Sequence, residues 1–268
     1  MAKMFLIDVA KCNGCYCCQF MCKDEHAGND WSPIAKPQPE VGQFWLKLTE
    51  EVRGTVPKVK VAYRPHLCMH CDAPPCMDAC KVPGAKYKRD DGLVIIDPAK
   101  CTGCRNCLYV CPYNAIYFSE DLNIAQKCTG CAHLLDNGWT ETRCVDACPN
   151  LALKFMDEAD AKDLIAKAEV WKPEHKTKPR VYYLNVPKQF IAGTAYDPVA
   201  EEVYIGAECV LTGAGKTFTA KTDNFGDFWF KDLPGAKFKL EIKTGGKVKV
   251  FDEIDVSCEC VNLGDIAM

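Results

Sequence analysis

Sixteen of the twenty cysteines in this 268-residue sequence fall into four groups of four, and their spacing is typical of metal ligands. Each group opens with a CxxC pair, which is too tight for an easy disulfide but lets two thiolates converge on one metal. Cysteine groups of this kind bind either structural zinc or iron–sulfur clusters. The four groups are Cys12, Cys15, Cys18 and Cys22; Cys68, Cys71, Cys76 and Cys80; Cys101, Cys104, Cys107 and Cys111; and Cys128, Cys131, Cys144 and Cys148.

The third group distinguishes between zinc and iron–sulfur clusters. In "CTGCRNCLYVCP", residues 101–112, three closely spaced cysteines are followed by a fourth and then by Pro112. This is the bacterial ferredoxin run, in which three thiolates bind one [4Fe–4S] cube and the fourth cysteine binds the other cube. Structural zinc is the alternative, because zinc ribbons also contain CxxC pairs. We predict cubes, since four complete quartets are a far more specific signal than a single CxxC pair.

An internal duplication supports this interpretation. "LIDVAKCNGCYCCQFMC" from Leu6 aligns with "IIDPAKCTGCRNCLYVC" from Ile95, with all four cysteines in register. In the other two groups, "CMDAC" at Cys76–Cys80 matches "CVDAC" at Cys144–Cys148. Self-similarity of this kind indicates a structural unit that is used more than once. The sequence therefore predicts two ferredoxin-like units that hold four clusters together.

The elements that must position these cysteines lie in residues 1–178, which we expect to form one iron–sulfur domain within an α+β fold. An insertion at 23–67 carries two strand-like stretches, "QFWLKLTEE" and "KVKVAYRP". It would either dock a large subunit or pack as a hairpin over the clusters. "DEADAKDLIAKA", residues 157–168, predicts a short helix, and the prolines of "WKPEHKTKPR" predict the end of the domain.

Residues 179–268 change character and predict a small antiparallel β-sandwich. Their strand-like stretches alternate apolar and polar residues between Gly, Asn, Asp and Pro. The pattern resembles transthyretin-like or carboxypeptidase-regulatory-like modules, which are mostly structural or adhesive, and no catalytic constellation stands out. "TGAGKTF" from Thr212 lacks the spacing of a phosphate-binding loop and predicts a hairpin turn. The strand-like stretches are "AECVLTG", "KTFTAKTD", "GDFWFKDL", "KFKLEIKT", "KVKVFDEIDV" and "CVNLGDIAM".

Several residues close to the cysteine groups, or outside them, carry weaker signals. Lysines that precede a first ligand would raise a cluster's potential, although a solvated surface lysine is the commoner outcome; these are Lys11, Lys100 and Lys127. Three histidines are expected to support the clusters or lie on the surface, because every cube already has four thiolates; these are His26, His70 and His133. Four cysteines are left over: Cys17 fits no group, and Cys209, Cys258 and Cys260 are expected to be buried free thiols.

Charge and hydropathy exclude several partners. The net charge is −3, and the lysines and acids are interspersed, so the sequence has no electrostatic footprint for nucleic acid. No stretch reaches the roughly 18 apolar residues that a membrane-spanning helix needs. The amino terminus runs through "MFLIDVAK" into Cys12 and leaves no room for a signal peptide. We expect a cytoplasmic protein, with export alongside a signal-bearing partner as the alternative.

The four cysteine groups, together with "CKDEHAGNDW", "YRPHLCMHCDAPPC", "AQKCTGCAHLLD" and "KPRVYY", resemble the four-cluster iron–sulfur subunits of the dimethyl sulfoxide reductase family. The resemblance covers residues 1 to about 180. In that family the first and last cysteine groups pair, as do the second and third. The resemblance implies these ligand sets: Cys12, Cys15, Cys18 and Cys148; Cys22, Cys128, Cys131 and Cys144; Cys68, Cys71, Cys76 and Cys111; and Cys80, Cys101, Cys104 and Cys107.

The resemblance also implies a function. Subunits of this family conduct electrons one at a time to or from a large catalytic subunit that holds a molybdenum or tungsten bis-pterin cofactor. The sequence predicts no catalytic residue in this chain, so substrate chemistry is expected on that partner, with polyhydroxylated aromatics as the substrate class. The alternatives are a mainly structural cluster subunit of a non-redox aromatic hydroxyl transferase and a freestanding multi-cluster ferredoxin.

Overall fold

The computed structural model describes residues 2–268, in which short strands outnumber helices. The strands are β1 (Lys3–Asp8), β2 (Lys47–Thr55), β3 (Lys58–His66), β4 (Lys86–Lys88), β5 (Val94–Ile96), β6 (Tyr117–Ser119), β7 (Ile124–Gln126), β8 (Leu153–Asp157), β9 (Val181–Leu184), β10 (Gln189–Asp197), β11 (Glu202–Val203), β12 (Glu208–Gly213), β13 (Lys216–Lys221), β14 (Asp227–Leu233), β15 (Lys237–Thr244), β16 (Lys247–Asp255) and β17 (Val261–Ala267). The α-helices are α1 (Cys17–His26), α2 (Pro75–Asp78), α3 (Asn106–Tyr109), α4 (Ala132–Asp136), α5 (Arg143–Asp146) and α6 (Lys162–Ile165). Within these residues, none of the helices has the length and apolar character that a membrane crossing requires.

The chain folds into two compact units. The first runs up to Glu50 and continues from Ala62 to Val186, and the second contains residues 51–61 and 187–268. The predicted division at 178/179 therefore differs from the structure at two places. The first unit extends further because β9 pairs with β1. Residues 51–61, at the tip of the predicted insertion, belong to the second unit.

Polar contacts hold this hairpin tip within the second unit. Nη1 of Arg53 donates a hydrogen bond to the carbonyl oxygen of Lys188 at 2.6 Å. Lys58 forms an ion pair with Asp227 on β14. The expected strands of the insertion are confirmed as the β2–β3 hairpin, but the hairpin divides between the two units.

A three-stranded sheet lies at the centre of the first unit. β1 pairs antiparallel with β8 and parallel with β9. The apolar side chains of Phe5 and Ile7 on β1 enter a core that also contains Trp45. Seven cysteines of the four groups belong to that same core, so the cysteines form part of the hydrophobic interior of the unit.

Short helices position the cysteines. Cys18 and Cys22 lie on α1, and Cys76, Cys107 and Cys144 lie on α2, α3 and α5. The last three helices have only four residues each, far fewer than an isolated helix needs for stability in water. Their stability must come from what their cysteines and apolar side chains contact.

Two four-stranded sheets build the second unit. One has the order β11-β10-β14, with β17 also paired to β10, and the other has the order β13-β12-β15-β16. β17 runs parallel to β10, so the antiparallel arrangement predicted for this region is wrong for that pair. The inward side chains of the two sheets share one core, which includes Ile191, Cys209, Phe228 and Leu240. The β-rich character predicted for this region is confirmed, whereas the assignment to a transthyretin-like type stays a prediction.

The six strand-like stretches of the tail correspond to β12–β17, and the turn predicted at "TGAGKTF" joins β12 to β13. Two other expectations need correction. The helix expected over 157–168 is shorter, since a 3-10 turn at Glu158–Ala161 leads into the four-residue α6. Cys258 is exposed and Cys260 is half-buried rather than buried, because both lie between β16 and β17 rather than within a strand.

Candidate metal centre

The structure brings the cysteines together in sets that mix the four sequence groups. Burial raises the pKa of the Cys18 thiol, and the neighbouring thiols of Cys144, Cys12, Cys148 and Cys15 raise it further. Four of these five thiols are the first set that the family resemblance implies. The fifth, Cys144, belongs to the second set, so the first two sets are neighbours.

The second set lies deepest in the first unit. Burial raises the pKa of Cys22 well above its usual value, and Cys128, Cys131 and Cys144 add to this effect. Burial also raises the pKa of Cys128, and among the neighbouring charges that of Cys68 contributes most to the rise. The second and third sets are therefore adjacent.

The third set lines a cavity. A small, mostly apolar cavity is bordered by Cys68, Cys71, Cys76 and Cys111, with Tyr113 among the apolar neighbours. Burial raises the pKa of Cys71 to about 12, and the other three thiols contribute to the rise. Thiols from two distant segments thus face one enclosed, mostly apolar space.

The fourth set lies where α2 packs against α3. Cys101 and Cys107 enter a small core that they share with Cys76 of the third set. Cys80 is half-buried just after α2, and Cys104 is exposed just before α3. The structure therefore places Cys101 and Cys107 beside Cys76 of the third set.

The donor set fits [4Fe–4S] clusters. All twenty cysteines are free thiols, and a cube takes four thiolate ligands, one for each iron. Buried thiols with raised pKa values lose their protons only when a metal replaces them, so cluster binding and folding are coupled. Within residues 2–268, no three His, Cys, Asp or Glu side chains converge closely enough to hold a single metal ion.

The loops between paired cysteines wrap tightly, as the glycines in the sequence predict. Gly14, Gly103 and Gly130 all have positive φ angles, between 62° and 74°. In the second group His70 takes this position with φ 42°. A left-handed residue inside each CxxC pair is therefore common to all four groups, and glycine adopts that conformation at the least cost.

The histidines that accompany the cysteines are buried, contrary to the surface alternative. His26, His70 and His133 are each at most 5% exposed. Burial lowers the pKa of His26 to about 3 and that of His70 well below its usual value, so both rings are neutral at pH 7. In His70, Nδ1 accepts a hydrogen bond from the Val94 amide at 3.0 Å, which leaves the ring proton on Nε2.

The lysines that precede the cysteine groups follow the expectation of a solvated surface at two of the three positions. Lys11 and Lys100 are exposed, but Lys127 is 2% exposed. Its ammonium donates to the carbonyl oxygens of Val94 and Cys128. Lys86 on β4 is buried as well. The sequence does not predict its burial, because Lys86 lies in the polar stretch "KYKRDD".

Comparison with known proteins agrees with this site. Residues 59–158 match the family model described as a 4Fe-4S dicluster domain. The small subunit of pyrogallol hydroxytransferase from Pelobacter acidigallici is 40% identical over 98% of each chain. The B component of tetrathionate reductase from Salmonella typhimurium is 33% identical over 74% of this chain and 79% of its own. The B component of anaerobic dimethyl sulfoxide reductase from Escherichia coli is 34% identical over 66% of this chain and 85% of its own.

The cysteine sets and the fold define an iron–sulfur protein of the ferredoxin-like, electron-transferring class. Its relatives are the smaller components of larger enzymes. This protein belongs to the iron–sulfur subunits of the dimethyl sulfoxide reductase family of molybdenum enzymes.

Proposed function

We propose that this chain conducts electrons through four [4Fe–4S] clusters, to or from a large subunit that holds a molybdenum or tungsten bis-pterin cofactor. The proposed ligand sets are Cys12, Cys15, Cys18 and Cys148; Cys22, Cys128, Cys131 and Cys144; Cys68, Cys71, Cys76 and Cys111; and Cys80, Cys101, Cys104 and Cys107. Each cluster, when bound, accepts or gives up one electron at a time. The protein itself buries the ligands, spaces them and limits the access of water.

The order of the sets is the observation that carries this proposal. Cys18 of the first set neighbours Cys144 of the second, and Cys128 of the second neighbours Cys68 of the third. Cys76 of the third set shares a small core with Cys107 of the fourth. The sets therefore follow one another in a row, which is the arrangement that stepwise electron transfer needs.

Both ends of this row reach the surface. Cys15 in the first set and Cys104 in the fourth are exposed, whereas every cysteine of the second set is buried. A row of clusters with buried central members and accessible ends can pass electrons between two partners without exposing the middle to solvent. One partner would be the catalytic subunit, and the other would be a further electron carrier.

The proposed substrate class is a polyhydroxylated aromatic compound. It is supported by the 40% identity to the small subunit of pyrogallol hydroxytransferase, which extends over 98% of both chains. That name also supports a second function, because a hydroxyl transfer needs no net electron flow. In this alternative the clusters stabilise the fold of a non-redox transferase, as metal sites often do.

Purification of the native complex under anaerobic conditions tests the proposal. We expect a large chain with molybdenum or tungsten to accompany about sixteen irons per copy of this chain, four for each cube. The clusters would then be reduced chemically and mixed with polyhydroxylated aromatic compounds. Cluster reoxidation in step with product formation supports electron conduction. Turnover at the same rate with oxidised and reduced clusters would favour the structural alternative.

A further inference from the structure

Three lysines surround the third cysteine set, and they differ in how their charge is satisfied. The ammonium of Lys88 pairs with Asp72 and donates to the carbonyl oxygen of Cys71 at 3.0 Å. Lys127 donates to two backbone carbonyl oxygens. Among the described residues around this set, Lys86 is the lysine whose Nζ is buried without a hydrogen-bond partner.

An unpartnered buried ammonium is costly, because it has lost its hydration without gaining a hydrogen bond or counterion. Lys86 is only 8% exposed. A nearby anion would offset that cost. The Cys76 thiolate of a bound cluster would supply one at this place.

The position of Lys86 in the fold points to the third set. In the β4–β5 ladder Lys86 lies opposite Ile96. Ile96 packs in the small core that contains Cys76 and Cys107. Burial raises the pKa of Cys76 to about 11, and the Lys86 ammonium is the strongest of the charges that oppose this rise.

We propose that Lys86 is a positioning residue that raises the reduction potential of the cluster held by Cys68, Cys71, Cys76 and Cys111. This inference rests on the proposed ligand set. Reduction by one electron adds one negative charge to the cluster, and a fixed positive charge in a region of low dielectric favours the reduced form.

The functional consequence concerns where electrons are held within the row of clusters. A central cluster of raised potential holds an electron longer than its neighbours and separates the two ends of the row. Electrons arriving from one partner would collect there until the other partner accepts them. Lys86 would thereby help a one-electron row to serve a catalytic subunit that needs electrons in pairs.

The test is a redox titration of the whole complex with low-potential mediators, monitored by electron paramagnetic resonance. In Lys86→Met we expect the reduction equilibrium constant of one cluster to fall about tenfold, which is about 59 mV for a one-electron couple. Lys86→Arg should keep the potential within about twofold of the unmodified value, because it retains the charge. Lys100→Met is the matched control, since Lys100 lies next to a cysteine ligand, Cys101, but its side chain is 56% exposed and paired with Asp97.

The outcomes separate this inference from the proposed function. Fewer than four clusters in the unmodified complex would overturn the ligand sets themselves. Four clusters with unchanged potentials in Lys86→Met would overturn the role of Lys86 alone. If Lys86→Met fails to hold one cluster, retention of that cluster in Lys86→Arg supports the proposal, because charge then decides the result. Equal loss in both variants would contradict it.

Discussion

Cys71 in the first unit and Cys209 in the second are both buried thiols, and burial raises the pKa of each to about 12. Their surroundings differ. Cys71 faces a cavity that it shares with three other thiols, whereas burial is the sole cause of the shift at Cys209. Burial and a raised pKa therefore do not identify a metal ligand. The neighbouring thiols do.

The two units differ in the same way on a larger scale. The core of the second unit consists mainly of aromatic and aliphatic side chains from two paired sheets. The core of the first unit includes seven cysteines and is framed by several four- and five-residue helices. Elements this short are not stable alone. The first unit should therefore depend on its clusters for stability, and the second should not.

Removal of iron should produce the largest difference between the units. We expect anaerobic chelation to abolish the protection of amides in the first unit from hydrogen exchange, because the short helices then lose the metal centres that hold their cysteines together. Amides of β12 and β15 in the second unit should keep their protection. Hydrogen exchange measured by mass spectrometry checks both units in one sample. Equal protection of both units after chelation would show that the first unit does not need its clusters.

Substitution of the two buried thiols should give a smaller and more local difference. In Cys71→Ala we expect the loss of about four irons per chain, the content of one cube, because the third ligand set is left with three thiolates. In Cys209→Ala the iron content should not change, and the free energy of unfolding of the second unit should fall by about 1 kcal/mol, the usual cost of a small cavity.

Iron analysis together with electron paramagnetic resonance checks this pair of variants. Full iron content in Cys71→Ala would contradict the third ligand set. Loss of iron from Cys209→Ala would contradict the independence of the second unit.

The difference between the units also explains which features follow from the sequence. Cysteine spacing and the alternation of apolar residues in β12–β17 are local patterns, so both the cysteine groups and the tail strands can be predicted. The burial of Lys86 and Lys127 is not local, since it depends on β4, β5 and the cysteine loops coming together in space. Cys258 shows the same limit, because an apolar context along the chain does not reveal that the residue lies outside the neighbouring strands.

The domain boundary is subject to the same limit. The prolines at positions 173 and 179 indicate a break in periodicity, but β9 continues the first unit because it pairs with β1 over 170 residues away. Residues 51–61 likewise join the second unit through contacts with Lys188 and Asp227. Pairings over such distances leave no repeating pattern in the sequence.

Two glycines provide the smallest and most controlled comparison. Gly103 in a cysteine loop and Gly215 in the β12–β13 turn both have φ +72°. A Cβ at Gly103 would lie 2.5 Å from the backbone oxygen of Asn123, whereas a Cβ at Gly215 would meet nothing within 4 Å. Alanine at either position carries the cost of a left-handed backbone, about 1 kcal/mol. At Gly103 it must also displace backbone, which adds about 1–3 kcal/mol.

We therefore expect Gly215→Ala to lower the local free energy of unfolding in the second unit by about 1 kcal/mol. Gly103→Ala should lower that of the first unit by roughly 2–4 kcal/mol, the sum of both costs. Native-state hydrogen exchange measures each loss in the intact protein. Because the φ angles are the same, the difference between the two variants reports only the close approach of Asn123. Equal losses would mean that the loop between Cys101 and Cys104 can shift away from Asn123. The tight wrapping of this loop would then not be required for the stability of the first unit.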